Sequence, residues 1–238
     1  MWWRLVSSSC RYPKVRHHKI QQWSTPRSTR TSKMSCFAKQ KYDYFLVLDF
    51  EATCERDRVP QPQEIIEFPV LKVNGHTFET ESTFHEYVQP RANPVLSSFC
   101  TELTGIIQDM VDEQPFFEDV LRLFDGWMVE NGLLSSSTQF IFVTFGDWDL
   151  LKMLPSQCAF FGVPVPKYMT TWINLKKSFT EVTGYWPGTL RQTLDFCQMK
   201  QIGRLHSGID DCRNIAAVLK WLAEKGYVFS ATGSSVPP

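Results

Sequence analysis

The sequence predicts an α/β layer fold built on a mixed β-sheet, and three observations predict it. Phe45-Leu46-Val47-Leu48 is a short apolar run of the kind found in buried strands. Asn74-Gly75 is a hairpin turn signal between two further strand-like runs, which makes at least one strand antiparallel. Beyond residue 94, amphipathic helical patterns alternate with short apolar runs, the pattern of a layered sheet covered by helices.

The elements follow in chain order. Residues 1–42 are rich in Arg, Ser and Thr, lack periodicity and are set outside the fold; the folded body is expected over 43–229, with 230–238 a flexible tail. The first strand ends at Asp49. Ile65 to Val73 reads as the second, and Phe78 to Val88 returns from the hairpin as the third. Two short helices are expected within Pro94 to Gln114. An amphipathic helix follows over 115–131, with Val120, Leu121, Phe124, Trp127 and Met128 on one face. Phe140 to Phe145 reads as the next strand, and Gly146 turns the chain into a helix over 148–161. Met169 to Ile173 reads as a short strand, with helices over 174–183 and 189–198. A last helix runs from Ile209 to Glu224 and is stopped by Gly226.

Composition narrows the function classes. Of 238 residues, 43% are hydrophobic and 14% aromatic, enough for one substantial core and unlike a disordered chain. No uncharged apolar run of about 18 residues occurs, so membrane insertion is not expected. The net charge of zero hides an asymmetry: residues 1–42 hold 10 of the 25 basic residues and no acid. The remainder carries 15 basic residues against 25 acids, a poor surface for gripping a long phosphate backbone. It suits an enzyme that holds a short strand end and offsets clustered carboxylates with cations. The seven cysteines are scattered, with no C-x-x-C pair, and read as reduced structural thiols.

Three motifs carry chemistry. In Asp49-Phe50-Glu51 the two carboxylates, two residues apart on a strand end, project from one face. Gly146-Asp147-Trp148-Asp149 sits at the corresponding end of a later strand; one Asp is expected to cap the following helix, leaving the other free. His206 precedes the last helix and Asp211 falls in its first turn. Each motif alone has an ordinary structural explanation. Converging on one sheet edge, their carboxylates would repel unless protonated or bound to cations. Two hard divalent ions relieve that repulsion and suit in-line phosphoryl chemistry, and a neutral imidazole beside the activated water can take its proton.

The order D-x-E, then Asp, then H-x(4)-D resembles the DEDDh family of 3′→5′ exonucleases. Leu48-Asp49-Phe50-Glu51-Ala52-Thr53-Cys54, Gly146-Asp147-Trp148-Asp149, Trp172-Ile173-Asn174 and His206-Ser207-Gly208-Ile209-Asp210-Asp211 are similar to its ERI-type branch. Within that branch they resemble most the prion-protein-interacting exoribonuclease group. The resemblance covers residues 43–229. It implies an RNase H-like mixed sheet flanked by helices, and a 3′→5′ exoribonuclease that uses two divalent ions, Mg²⁺ with Mn²⁺ able to substitute, and releases 5′-mononucleotides. By position it places metal carboxylates on Asp49, Glu51, Asp149 and Asp211, and the general base on His206. The family's Trp-Asp order selects Asp149 over Asp147, and the spacing after the histidine selects Asp211 over Asp210. Ser207 stands where the sister DEDDy class has Tyr, so the histidine variant holds. Glu51, the Ala52 backbone and His206 would contact the terminal nucleotide. Phe99 and Leu103 to Ile106 resemble the base-contacting wall, although Phe99 fits a core position equally well.

The expected partners are the 3′ end of single-stranded or structured RNA and a protein partner. A DNA exonuclease and a non-catalytic RNA- or protein-binding adaptor are the competing readings; all five catalytic positions being intact argues against the adaptor. The acid-free, Arg- and Ser-rich residues 1–42 favour a mitochondrial import signal over a basic RNA-binding arm. Initiation at Met34 would leave the body in cytoplasm or nucleus.

Overall fold

A computed structural model describes residues 37–235. The import reading of the N-terminal segment falls almost wholly on residues 1–36, outside the described residues. A seven-stranded mixed sheet organises the described residues. Its central strands are β1 (Tyr44–Leu48), β5 (Phe140–Thr144) and β6 (Thr171–Asn174), mutually parallel. On the other side of β1 lies β3 (Ile65–Asn74), antiparallel to it, followed by β4 (Thr80–Tyr87). The two-residue strand β2 (Glu51–Ala52) continues past β1 and pairs with the start of β3 across a register shift.

Strand alternation separates two cores. Leu46 and Leu48 of β1 face helix α3 (Phe117–Glu130) through Val120, Phe124 and Met128. Phe45 and Val47 face the other layer, where α5 (Leu175–Thr183), α6 (Leu190–Phe196) and α7 (Gly208–Glu224) supply Phe179, Leu194, Ile215, Val218 and Leu219. Each such side chain taken fully out of water stabilises by about 1.5–3 kcal/mol, so the sheet is clamped between two apolar layers. The expected amphipathic helix over 115–131 is α3, with its named apolar face inward apart from Trp127, which is half-buried and donates to Ser82 Oγ at 3.1 Å. The two short helices are α1 (Ser98–Thr104) and α2 (Gln108–Val111).

Several boundaries differ, each for a local reason. The hairpin loop is longer than expected, and Phe78 lies in it with φ 55° rather than in a strand. Asn74 organises this turn: its Oδ1 accepts from His76 N and Thr77 N, and its carbonyl accepts from Phe78 N. Gly75 is required there, since a Cβ would stand 2.2 Å from the Tyr42 carbonyl oxygen. The helix expected over 148–161 opens as one π-turn (Asp149–Met153) before α4 (Leu154–Phe161), with Leu154 N–H reaching back to Asp149 O. The ring at Pro155 has no N–H to give to the normal ladder, which favours the wider turn. Lys167–Met169 forms a 3₁₀ turn, so β6 starts two residues later than the expected strand.

Both expected domain limits also move. Residues 37–42 pack on the body rather than lying outside it: Gln40 Nε2 donates to Tyr227 O, Phe229 N donates to Gln40 Oε1, and the Phe37 ring packs against Phe78, tilted by 57°. At the other end β7 (Gly233–Ser234) pairs antiparallel with β6, so this part of the expected flexible tail is an edge strand. Among the described residues the cysteines are free thiols, and no helix is long and apolar enough to cross a membrane.

Candidate active site

The sheet brings the three motifs to one place because parallel strands β1 and β5 end side by side. The chain leaves β1 through Asp49 and leaves β5 toward Asp149, and α7 crosses the same edge from the layer that Phe45 and Val47 face. Asp149 Oδ1 accepts the Phe50 N–H at 3.0 Å, which ties the second motif to the backbone between the first two carboxylates. Asp211 Oδ2 accepts the His206 N–H at 2.8 Å, which fixes the third motif internally. His206 has φ 61°, and this left-handed residue reverses the chain just before α7. Ligand atoms of Glu51, His206 and Asp211 all lie within 4.8 Å of one another. Asp49 and Asp149 join this set through the Phe50 bond and through mutual charge repulsion.

The electrostatics show what that convergence costs. Burial, then the charges of Asp149, Glu51, Asp211 and Glu67, push the Asp49 carboxyl well above the ordinary range. Burial, then Glu67, Asp211 and Asp149, raise Glu51 to about 8, with the Arg204 guanidinium opposing. Burial raises Asp149 to about 6 against the Phe50 hydrogen bond, and raises Asp211 to about 6 against the His206 N–H and Asn214. Asn214 nevertheless spends its Nδ2 on Ile202 O and Asp210 O, and Asp211 Oδ1 is buried with no hydrogen-bond partner. A buried carboxylate oxygen with nothing to accept, among three other carboxylates, fits a hard cation.

The neighbouring acids have other work. Asp147 accepts from Trp172 Nε1 at 2.9 Å and pairs with Lys177 at 3.1 Å. Its side chain makes no helix-capping bond, so the expectation that one Asp of this motif caps the helix is not met; the helix cap position is Trp148, also without a side-chain bond. Asp210 accepts from Arg204 N at 3.0 Å and from Arg213 Nη1 at 2.6 Å. Phe99 is half-buried on α1 and absent from the cores; the Arg56 guanidinium lies 4.8 Å over its ring. Ala52 is buried, and its carbonyl accepts a weak bond from Cys100 Sγ at 3.8 Å.

Two contributors are missing from the motif reading. Glu67, 1% exposed near the start of β3, stands directly across from Glu51 in the β2–β3 pair. The signal was a lone acid inside the apolar run Ile65-Ile66-Glu67-Phe68, since an ionisable side chain at a buried strand position needs a partner. Arg204 donates from Nη2 to Glu102 O and to Leu103 O, tying the loop before His206 to the end of α1. Gly105, with φ 79°, leaves room for it: a Cβ there would stand 2.5 Å from Arg204 Nη1.

The RNase T family model, described as exonuclease, matches residues 46–219, nearly three quarters of the chain. The chain belongs to this exonuclease family. Human and bovine ERI1 exoribonuclease 3 are each 55% identical over 201 residues, 84% of this chain; the chain spans 59% of the length of either. Human 3′-5′ exoribonuclease 1 is 40% identical over 197 residues, 82% of this chain and 56% of its own length. Among solved structures, the nuclease domain of 3′hExo, a DEDDh family member bound to rAMP, superposes with TM-score 0.78 at 38% identity. That match covers 83% of this chain and all of that domain. A 3′-exonuclease recognising the histone mRNA stem-loop gives TM-score 0.76 at 36% identity, over 84% of this chain and 74% of that one. The mixed sheet flanked by helices is therefore the DEDDh exonuclease fold, and divalent-metal dependence goes with the family.

Proposed function

We propose that the chain is a 3′→5′ exoribonuclease that hydrolyses phosphodiester bonds from RNA 3′ ends and releases 5′-mononucleotides. One observation carries the assignment: Glu51, His206 and Asp211 converge within 4.8 Å while a buried Asp211 oxygen lacks any hydrogen-bond donor. Asp49, Glu51, Asp149 and Asp211 would hold two divalent ions, Mg²⁺ with Mn²⁺ as substitute. Bound there, such ions make water nucleophilic at neutral pH and stabilise charge on the leaving oxygen.

The protein's own groups do the rest. His206, exposed at the rim, accepts the proton of the attacking water through its neutral imidazole. Its backbone N–H bond to Asp211 keeps the ring beside the cluster. The Phe50–Asp149 bond holds Asp49 and Glu51 in register with the end of β5. Glu51 and the Ala52 backbone meet the terminal nucleotide, and the half-buried Phe99 ring offers a flat face on which any terminal base can stack. The likeness to exoribonucleases, to the rAMP-bound nuclease domain of 3′hExo and to a 3′-exonuclease that recognises the histone mRNA stem-loop supports RNA as substrate.

The test is degradation of end-labelled single-stranded RNA and DNA of one sequence, with Mg²⁺ or with EDTA. Stepwise shortening of RNA from the 3′ end, abolished by EDTA, is the expected result. Shortening of DNA alone would overturn the RNA assignment, and binding without cleavage would make the protein an adaptor.

A further inference from the structure

Glu67 belongs to none of the three motifs, yet it bears on carboxylates from two of them. Its carboxylate is buried opposite Glu51 and close enough to raise Asp49, Glu51 and Asp211. A fifth carboxylate in such company is costly unless it is fully hydrogen-bonded. Here it is: Oε2 accepts Gly208 N–H at 2.9 Å, Oε1 accepts Ile209 N–H at 3.1 Å, and His85 Nε2 lies 2.8 Å from Oε1.

Those two N–H groups are the first donors of α7, which have no partner within the helix. Ser207, at the cap position, makes no side-chain cap bond, so the cap comes from a strand 141 residues earlier. A carboxylate there also meets the positive end of the helix dipole. The approach is close because residue 208 is glycine: a Cβ would stand 2.6 Å from Asp49 O and 3.2 Å from Glu67 Oε2. The helix end held in this way carries Asp211 and is preceded by His206, whose N–H is bonded to Asp211. Across β2–β3, the backbone that carries Glu67 pairs with the backbone that carries Glu51.

We propose that Glu67, steadied by His85, is a positioning residue that sets His206 and Asp211 at their working distance from Glu51. The proposal rests on the exonuclease reading. Groups that act together on a reacting centre tolerate displacements of only about 0.5 Å, and a rigid strand-to-helix clamp supplies that precision.

The experiment compares full-length wild type, Glu67→Gln and Glu67→Asp in steady-state cleavage of a short single-stranded RNA. Amide hydrogen exchange and thermal unfolding are measured on the same proteins. Glutamine loses one of two acceptors, and aspartate keeps the charge but is a methylene too short to reach both amides. Both should lower kcat by about 10- to 100-fold with KM within about twofold, as loss of a supporting partner around a metal site does. Exchange at Gly208 and Ile209 should quicken by about tenfold or more, the loss expected of a charge-assisted bond, while the β3 amides stay protected. A helix cap with no bearing on the site would quicken exchange and leave kcat intact, which overturns the proposal. Full activity in Glu67→Asp, or lost activity with unaltered Gly208 and Ile209 exchange, overturns it too. Should both Glu67 variants fail to fold, His85→Ala decides: a several-fold lower kcat with looser Gly208 and Ile209 supports the clamp, and no change in either overturns it. Wild-type protein that leaves RNA intact would show instead that the exonuclease reading has failed.

Discussion

Asp149 and Phe50, 99 residues apart in sequence, are joined by a 3.0 Å hydrogen bond from the Phe50 backbone N–H to Asp149 Oδ1. The bond uses one carboxylate oxygen of Asp149 and leaves the other for the cluster. It also fixes the peptide between Asp49 and Glu51, so two motifs become one rigid unit.

That arrangement separates neighbouring acids. Asp49→Asn, Glu51→Gln, Asp149→Asn and Asp211→Asn should each lower kcat by more than about 100-fold, since each amide removes a charged ligand without opening a cavity. Asp147→Asn and Asp210→Asn should keep most activity. Asp147→Asn should cost stability instead, about 1–2 kcal/mol for its charged contacts to Trp172 and Lys177. Single-turnover rates and urea unfolding of the six variants test this. Asp147 or Asp210 proving the more damaging member of its pair would invalidate the assignment.

The raised carboxyls make the metal-free protein sensitive to pH. Glu51 at about 8, with Asp149 and Asp211 at about 6, binds protons more tightly in the folded state than in the unfolded chain. Stability from these groups is therefore full below their ordinary carboxyl range and lost as pH rises from there through about 6 for Asp149 and Asp211 and about 8 for Glu51. In EDTA, Tm should fall across that window, and Mg²⁺ should restore it more at the alkaline end. Differential scanning fluorimetry checks the slope; a metal-free Tm that climbs from pH 5.5 to 8.5 would refute it.

Substitution of His206 should isolate the proton acceptor. Asn tolerates the left-handed backbone at this position, so His206→Asn should keep the fold and lower kcat by about 10²- to 10⁴-fold. Retention of both the wild-type rate and the wild-type pH profile would exclude the imidazole from the reaction. In wild type, Ca²⁺ should fail to replace Mg²⁺, because its looser and higher coordination holds the ligands out of line.

Gly208→Ala should damage stability and turnover together. Its Cβ would press on Asp49 O at 2.6 Å and Pro69 Cγ at 3.0 Å, pushing α7 off the sheet. Overpacking of this kind costs about 1–3 kcal/mol. Equilibrium unfolding alongside the cleavage assay measures both, and a variant as stable and active as wild type would show that the contact yields freely.

How much of this was legible in the sequence depended on distance along the chain. Asp49 and Glu51 could be placed on one face because strand alternation is a rule about neighbours. The H-x(4)-D spacing of His206 and Asp211 was likewise local, and the family resemblance selected Asp149. Glu67 escaped because its partners, Gly208 and Ile209, are more than 140 residues away, and no local rule announces a strand residue that caps a distant helix. Neither Asp147 nor Asp149 caps the helix, although an Asp before a helix usually does; Trp172 and Lys177, which claim Asp147, belong to β6 and α5. The edges of the domain were missed for the same cause. Gln40 and Ser234 look like linker residues until the Tyr227–Phe229 segment and β6 meet them.

The short strand β7 has a practical meaning for anyone shortening this protein. Gly233 lies against the Trp172 indole so closely that a Cβ would stand 2.3 Å from it, and Thr232 and Ser235 bond the backbone on either side. A chain ended at residue 229 would strip this cover and leave β6 with a bare row of amides and carbonyls. Such edges recruit strands from other molecules. Self-association and precipitation would then mimic a defect of the enzyme, although every group of the proposed chemistry were still in place.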